Sequence, residues 1–261
     1  MKKNILLIFI IIPFILSVIA CGGHKVKINP TIKKYNEATL YLNNGNMERA
    51  EILLKQVIKK DPNFYLAYHS LGVIELYKRN FKKASQLFEK ALKINPSYAE
   101  SYNYLGIAYK EMGMNNKAEM MFKKVIDNPD YPTRENGYYN LALIKFTEKK
   151  YEEALEYITH GLKINPSFAL GYNLRGQIYS ILNQNEKARK DYLKAIKIMP
   201  ENPLFNFNLG LFLYKKDKDL TTAITFFEKA MALSRDKELI NLCRKYLKEI
   251  DQLKNERKKQ K

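Results

Sequence analysis

Small residues recur along this chain at a nearly fixed interval. Ala38, Gly72, Gly106, Ala142, Gly176 and Gly210 are separated by 34, 34, 36, 34 and 34 residues. A second series, Ala50, Ala84, Ala118, Ala154, Ala188 and Ala223, steps by 34, 34, 36, 34 and 35. Pro62 and Pro96, then Pro166 and Pro200, keep the same interval. Self-similarity at such a period belongs to stacked arrays, in which no unit buries its apolar face alone and neighbours complete one another's core. Whatever this chain does, it does with about six copies of one small module.

The spacing of residues within a module identifies it. Tyr68, Leu71, Gly72, Ala84, Phe88, Ala91 and Pro96, then Tyr102, Leu105, Gly106, Tyr109, Ala118 and Phe122, resemble the framework of the tetratricopeptide repeat (TPR). The resemblance runs from about Ile32 to Leu233 and implies two antiparallel helices per unit. The first small residue then lies where the paired helices cross. The second lets the next unit approach. Proline ends the second helix because it has no N–H for the ladder and disfavours helical angles in the residue before it. Turn signals at Asn43–Asn46, Lys78–Asn80, Met112–Asn116 and Asn183–Asn185 separate the two helices of a pair. The expected fold is all-α: a right-handed superhelical solenoid of about six TPR helix pairs over residues 31–235. A capping helix and basic tail follow over 236–261. That last segment carries one apolar stripe (Leu239, Ile240, Leu242, Cys243, Tyr246, Leu247, Ile250, Leu253), which a solenoid needs to close its exposed end. The sixth repeat has one extra residue, expected in the turn between Lys215 and Leu220.

The amino terminus predicts export. Lys2 and Lys3 precede an uncharged run from Ile5 to Ala20. A helix of that length spans roughly 24 Å, short of the ~30 Å hydrocarbon core, which favours a secretory signal over a permanent anchor. Val18-Ile19-Ala20-Cys21 resembles the lipobox of bacterial lipoproteins. That resemblance implies a signal peptide over 1–20, lipid on Cys21, and a linker over 21–30. Acyl chains on one cysteine exceed the two-signal requirement for stable membrane attachment. The residue after Cys21 is Gly22 rather than aspartate, which favours the outer over the inner membrane if the enterobacterial sorting rule applies.

The formal net charge is +18, from 45 basic and 27 acidic residues. Excess of that size raises the question of an anionic partner. No nucleic-acid-binding signature accompanies it, so nucleic acid is not expected, and a lysine-biased surface, or attraction to an anionic membrane or to an acidic partner, accounts for the charge. With Cys21 lipidated, Cys243 has no partner in the chain and is expected to pack as a small hydrophobe. His24, His69 and His160 fall in separate segments, and no nucleophile elbow, phosphate loop or metal-ligand spacing appears. Neither a catalytic residue, a metal, a cofactor nor a small-molecule substrate is expected.

Between repeats three and four the two extra residues make a Pro-x-x-Pro loop, Asn128-Pro129-Asp130-Tyr131-Pro132-Thr133, followed by Asn140. Loop, repeat number and lipoprotein signal together are similar to the PilF/PilW/Tgl family of type IV pilus biogenesis proteins. Asn103-Tyr104 before Gly106 adds to this, although Leu105 intervenes where the family has none. The resemblance implies an outer-membrane lipoprotein that binds the secretin subunit and promotes its assembly into a ring. An adaptor scaffold for envelope enzymes such as cell-wall hydrolases or proteases is the alternative.

The client is expected in the groove lined by the first helix of each pair. Counted from the small residue, the inward positions are Leu66, His69, Val73 and Leu76 in repeat two, and Asn103 and Ile107 in repeat three. Repeat four offers Tyr139, Leu143 and Phe146, and repeat five Asn173. In repeat six, Leu204, Phe207, Leu211 and Tyr214 are expected to lie under the capping helix instead. An apolar groove suits an amphipathic helix or strand of a partner.

Overall fold

The computed structural model describes residues 29–259, and among them every regular element is helical. Six pairs succeed one another: α1 (Pro30–Asn43) with α2 (Met47–Lys60), α3 (Tyr65–Tyr77) with α4 (Phe81–Ile94), and α5 (Ala99–Glu111) with α6 (Asn115–Ile126). Then come α7 (Arg134–Thr147) with α8 (Tyr151–Ile164), α9 (Ala169–Ile181) with α10 (Asn185–Ile198), and α11 (Pro203–Phe212) with α12 (Leu220–Leu233). A longer helix, α13 (Lys237–Lys259), follows. The expected signal peptide and Cys21 lie outside the described residues. No described helix is long and apolar enough to cross a membrane.

Two compact units divide at Asn128 and Pro129, inside the Pro-x-x-Pro loop. In the first unit each helix packs on its pair partner, and α2 on α3 and α4 on α5 join successive pairs. The second unit is built the same way, with α8 on α9, α10 on α11, and α13 laid on α12.

The small residues sit where the period places them. A Cβ built on Gly72 would come within 2.6 Å of the Phe88 ring, and one on Gly106 within 2.6 Å of Phe122. At Gly176 and Gly210 the rings are Tyr192, at 3.0 Å, and Phe227, at 3.1 Å. Repeats one and four carry alanine at this position, Ala38 and Ala142, and there the residue sixteen positions on is aliphatic, Leu54 and Ile158. The size of the ring across the pair thus sets whether a methyl fits. Close-packed interiors leave no slack for both.

Turns repeat as faithfully as helices. In all six connections within a pair, one residue is left-handed: Gly45, Arg79, Gly113, Lys149, Asn183 and Lys218. Between pairs, Asp61, Asn95 and Asn165 end the second helix in extended backbone, and each side-chain oxygen accepts from the N–H two residues on (3.0, 3.2 and 3.0 Å). Proline lies between acceptor and donor, so the Asx turn and the missing N–H together stop the helix.

One expectation about the sixth repeat is corrected. Its extra residue is absorbed within the first helix, which ends in a π-turn over Leu213–Asp217. Widening one helical turn takes up a residue without moving the pair's crossing, and Lys218 keeps the left-handed turn position.

Helix α13 closes the second unit. Cys243 and Ile250 are fully buried in the cluster that contains Phe207, Phe227 and Ala230. Tyr246 stacks on Phe227 (centroids 5.5 Å, planes 12° apart) and meets Phe207 and Tyr214 at 6.1 and 5.8 Å. Phe207 and Tyr214 therefore face the cap as expected, while Leu204 stays exposed. Burial pushes the Cys243 thiol up to about 11, so it packs as an apolar group and is a poor nucleophile.

Candidate functional site

In repeat two, Leu66, His69, Val73 and Leu76 do not offer an open surface. Leu66 belongs to the core cluster of Leu54 and Leu71, and Val73 and Leu76 to that of Phe88 and Leu105. His69 is enclosed by rings: Phe88 at 5.5 Å, Tyr98 at 5.1 Å and Tyr104 at 5.3 Å. Its Nδ1 shares a 3.0 Å hydrogen bond with Ser101 Oγ in the next pair. Burial lowers its pKa to about 3, so the imidazole is neutral at physiological pH. These four side chains are core, where the sequence expectation made them lining.

The reason is periodic. The position three before the small residue reaches into the following pair. Tyr35 Oη lies 3.4 Å from Ser70 Oγ, His69 meets Ser101, and Asn173 Oδ1 accepts from Asn208 Nδ2 at 2.9 Å. Asn103 and Asn173 are accordingly buried too. At Tyr35, His69, Asn103 and Asn173 this join removes the side chain from the surface a client could touch, whereas Tyr139, at the same position in repeat four, meets Phe168 of the next pair and stays half-buried.

What remains open differs between the units. In the first, Ile107 is half-buried beside Val73 and Leu105. In the second, Tyr139, Leu143 and Phe146 are all half-buried along one face of α7, at spacings of four and three residues. They pack on one side against the cluster of Ile158, Leu162 and Leu174. Phe168 meets the Tyr139 ring edge-on at 5.6 Å, and Tyr151 meets Phe146 at 5.8 Å. Burial raises the Tyr139 hydroxyl to about 12, so it stays a neutral donor. An apolar strip of this kind can accept an apolar helix face. It holds no nucleophile–base pair. No group of His, Cys, Asp or Glu among the described residues could hold a metal ion.

Sequence reasoning missed a second feature of the same unit. Arg175 and Asp191 form a bidentate ion pair across α9 and α10, beside a row of four lysines on α10. The signal was present: Arg175 stands one residue before Gly176, where Leu71, Leu105, Leu141 and Leu209 stand in other repeats.

Models of the tetratricopeptide repeat match residues 35–99, 87–120, 136–168, 176–217 and 205–237, together more than half of the chain. Among solved structures, the type IV pilus biogenesis factor PilW superposes with a TM-score of 0.72 at 20% identity, covering 81% of this chain and 97% of PilW. PilF of Pseudomonas aeruginosa gives 0.71 at 22% identity, covering 83% and 97%. Curated relatives align over less. The mouse BBSome member BBS4 is 24% identical over 116 residues, 41% of this chain and 22% of BBS4. A TPR protein of Methanocaldococcus jannaschii is 34% identical over 94 residues, 36% of this chain and 16% of that protein. The chain thus spans only about a fifth of the length of these curated relatives. By its repeats the chain belongs to the tetratricopeptide-repeat proteins, and in fold it is similar to PilW and PilF.

Proposed function

We propose that this chain is a lipid-tethered envelope scaffold that binds the secretin subunit of a type IV pilus and promotes its assembly into a ring. The observation that carries the reading is the fold likeness to PilW and PilF over 97% of each. Two sequence features support it. The Asn128–Thr133 loop resembles that family, and Cys21 ends a lipobox that would hold the scaffold at the membrane where the ring forms. The half-buried strip Tyr139–Leu143–Phe146 is the client surface in this reading. A half-buried apolar strip along one helix face can take the apolar face of a partner helix.

Deletion of the gene, followed by unboiled immunoblotting of the secretin, tests the proposal. Expected are secretin monomers at normal abundance, without heat-stable multimers, and cells without surface pili. Normal multimers in the deletion would overturn it and leave an adaptor for other envelope proteins. The anchor has its own test. Cys21→Ala should abolish labelling by an alkyne fatty acid and mislocalise the protein, whereas equal labelling of variant and wild type would contradict lipidation at this residue.

A further inference from the structure

Repeat five departs from the framework in a way packing does not require. One residue before the small position, repeats two, three, four and six carry Leu71, Leu105, Leu141 and Leu209. Across the pair, one residue before the ring or aliphatic position, stand Leu87, Met121, Tyr157 and Phe226. In repeat five both are replaced by charges. Arg175 Nε and Nη2 donate to Asp191 Oδ2 and Oδ1 at 2.6 and 2.9 Å, with Asp191 only 5% exposed. Exchanging an apolar contact for a buried ion pair gains little stability, because desolvation offsets the attraction.

The pair opens a cleft between α9 and α10 of about 660 Å³, within the range of ligand sites. One wall is Tyr172, Arg175 and Tyr179. The guanidinium lies between the two rings, 5.4 and 5.7 Å from their centroids. The other wall is Lys187, Lys190, Lys194 and Lys197, spaced three, four and three residues apart along one face of α10. That row is roughly 15 Å long. Like charges at such spacings repel and weaken the helix that carries them. No other second helix carries lysine at all four of these positions. The equivalent residues are Lys83, Gln86, Lys90 and Lys93 on α4, and Glu153, Glu156, His160 and Lys163 on α8. Asp191 is the one carboxylate in the lining, and it is engaged by Arg175.

From this geometry we infer that the α9–α10 cleft of repeat five is a docking site for an acidic peptide segment of a partner protein. Three features select that ligand. Each ring already has two cations within 6 Å of its centroid, Arg175 with Lys187 at Tyr179 and Arg175 with Lys194 at Tyr172, so the rings are engaged by cations rather than held ready to stack a sugar or a base. The ammonium groups are strung out at about one per helical turn rather than converging, which suits a series of carboxylates better than a single phosphate. Leu193, 48% exposed among the lysines, gives an apolar contact that a peptide side chain can meet. Arg175 acts as a positioning residue: it fixes the two tyrosines against which the lysine stems rest. The site is separate from the α7 strip, and its occupant need not be the protein bound there.

Fluorescence anisotropy with the purified full-length protein in detergent tests this. The probe is a fluorescein-labelled twelve-residue peptide with glutamate at every third or fourth position and one central leucine. Binding should be saturable, should weaken at least tenfold between low and high salt because exposed charge pairs are screened, and should fall at least tenfold in Lys190→Glu/Lys194→Glu. The same charge change on α6, Lys123→Glu/Lys124→Glu, should alter it less than threefold. Arg175→Leu/Asp191→Leu should raise the melting temperature while weakening peptide binding. Equal losses from the α10 and α6 variants would overturn the site in favour of unspecific charge. Tighter binding of phosphatidylglycerol vesicles than of the peptide, through the same lysines, would overturn the peptide in favour of a lipid surface.

Discussion

Gly106 and Phe122 illustrate how single residues set the repeat geometry. A methyl on Gly106 would lie 2.6 Å from a ring that is itself fully buried, so the ring has nowhere to go. Gly106→Ala should therefore destabilise by about 1–3 kcal/mol, as overpacking does, although alanine is the better helix former. Adding Phe122→Leu, the arrangement seen at Ala38 with Leu54, should recover part of that loss. Denaturant melts of the four proteins of this cycle decide it, and additive effects would mean the two side chains do not meet. His69 makes a second residue-scale prediction. Its folded pKa, near 3, lies below the ordinary 6.5, so the unfolded chain binds the proton more readily. Its contribution is complete above pH 6.5 and is lost as pH falls toward 3. Between pH 6.5 and 5 that amounts to about 2 kcal/mol, at about 1.4 kcal/mol per unit. His69→Gln should show a flatter dependence of melting temperature on pH over that interval, and an unchanged slope would place the sensitivity elsewhere.

At the scale of elements, the turns follow one rule with unequal residues. Gly45 and Gly113 fill the left-handed position in two of them, whereas Arg79 and Lys149 adopt φ of 61° with a Cβ. A left-handed residue with a Cβ costs roughly 1–2 kcal/mol, which glycine does not incur. Arg79→Gly and Lys149→Gly should each raise stability by up to about 1 kcal/mol, and Gly113→Ala should lower it by a similar amount. Thermal melts giving the opposite order would contradict the turn geometry. Much of this level was legible in the sequence, because a 34-residue interval fixes the element order, and Asn183, Gly45 and Gly113 announce their turns. The π-turn at Leu213–Asp217 was not. An extra residue can widen a helix or lengthen a loop, and the period is the same for both. The candidate site was legible only in direction. Helical register puts Leu143 and Phe146 on one face of α7, where both are half-buried, but register carries no information on depth. Leu66, His69, Val73 and Leu76 share an equivalent face of α3 and are buried, because neighbouring aromatic side chains, Phe64, Phe88, Tyr98 and Tyr104 among them, close over that helix.

For the whole molecule, the repeats divide into parts that hold the array together and parts left open to a partner. Each unit keeps its own core clusters, and the second adds α13, the strip on α7 and the lysine row on α10. Tyr246 makes the aromatic contacts that join the capping helix to Phe207, Tyr214 and Phe227, so Tyr246→Ala should cost about 2 kcal/mol or more, judged from truncations of packed aromatic residues. It should also speed proteolysis at the carboxyl end while the first unit stays protected. In the proposed function the α7 strip touches the client. The most direct measurement of that contact is site-specific photocrosslinking in intact cells, with benzoylphenylalanine replacing Leu143 or Phe146. An irradiation-dependent adduct with the secretin subunit is expected from both positions, and none from Glu156, exposed on the partner helix α8. Secretin adducts from Glu156, with none from Leu143 or Phe146, would contradict it.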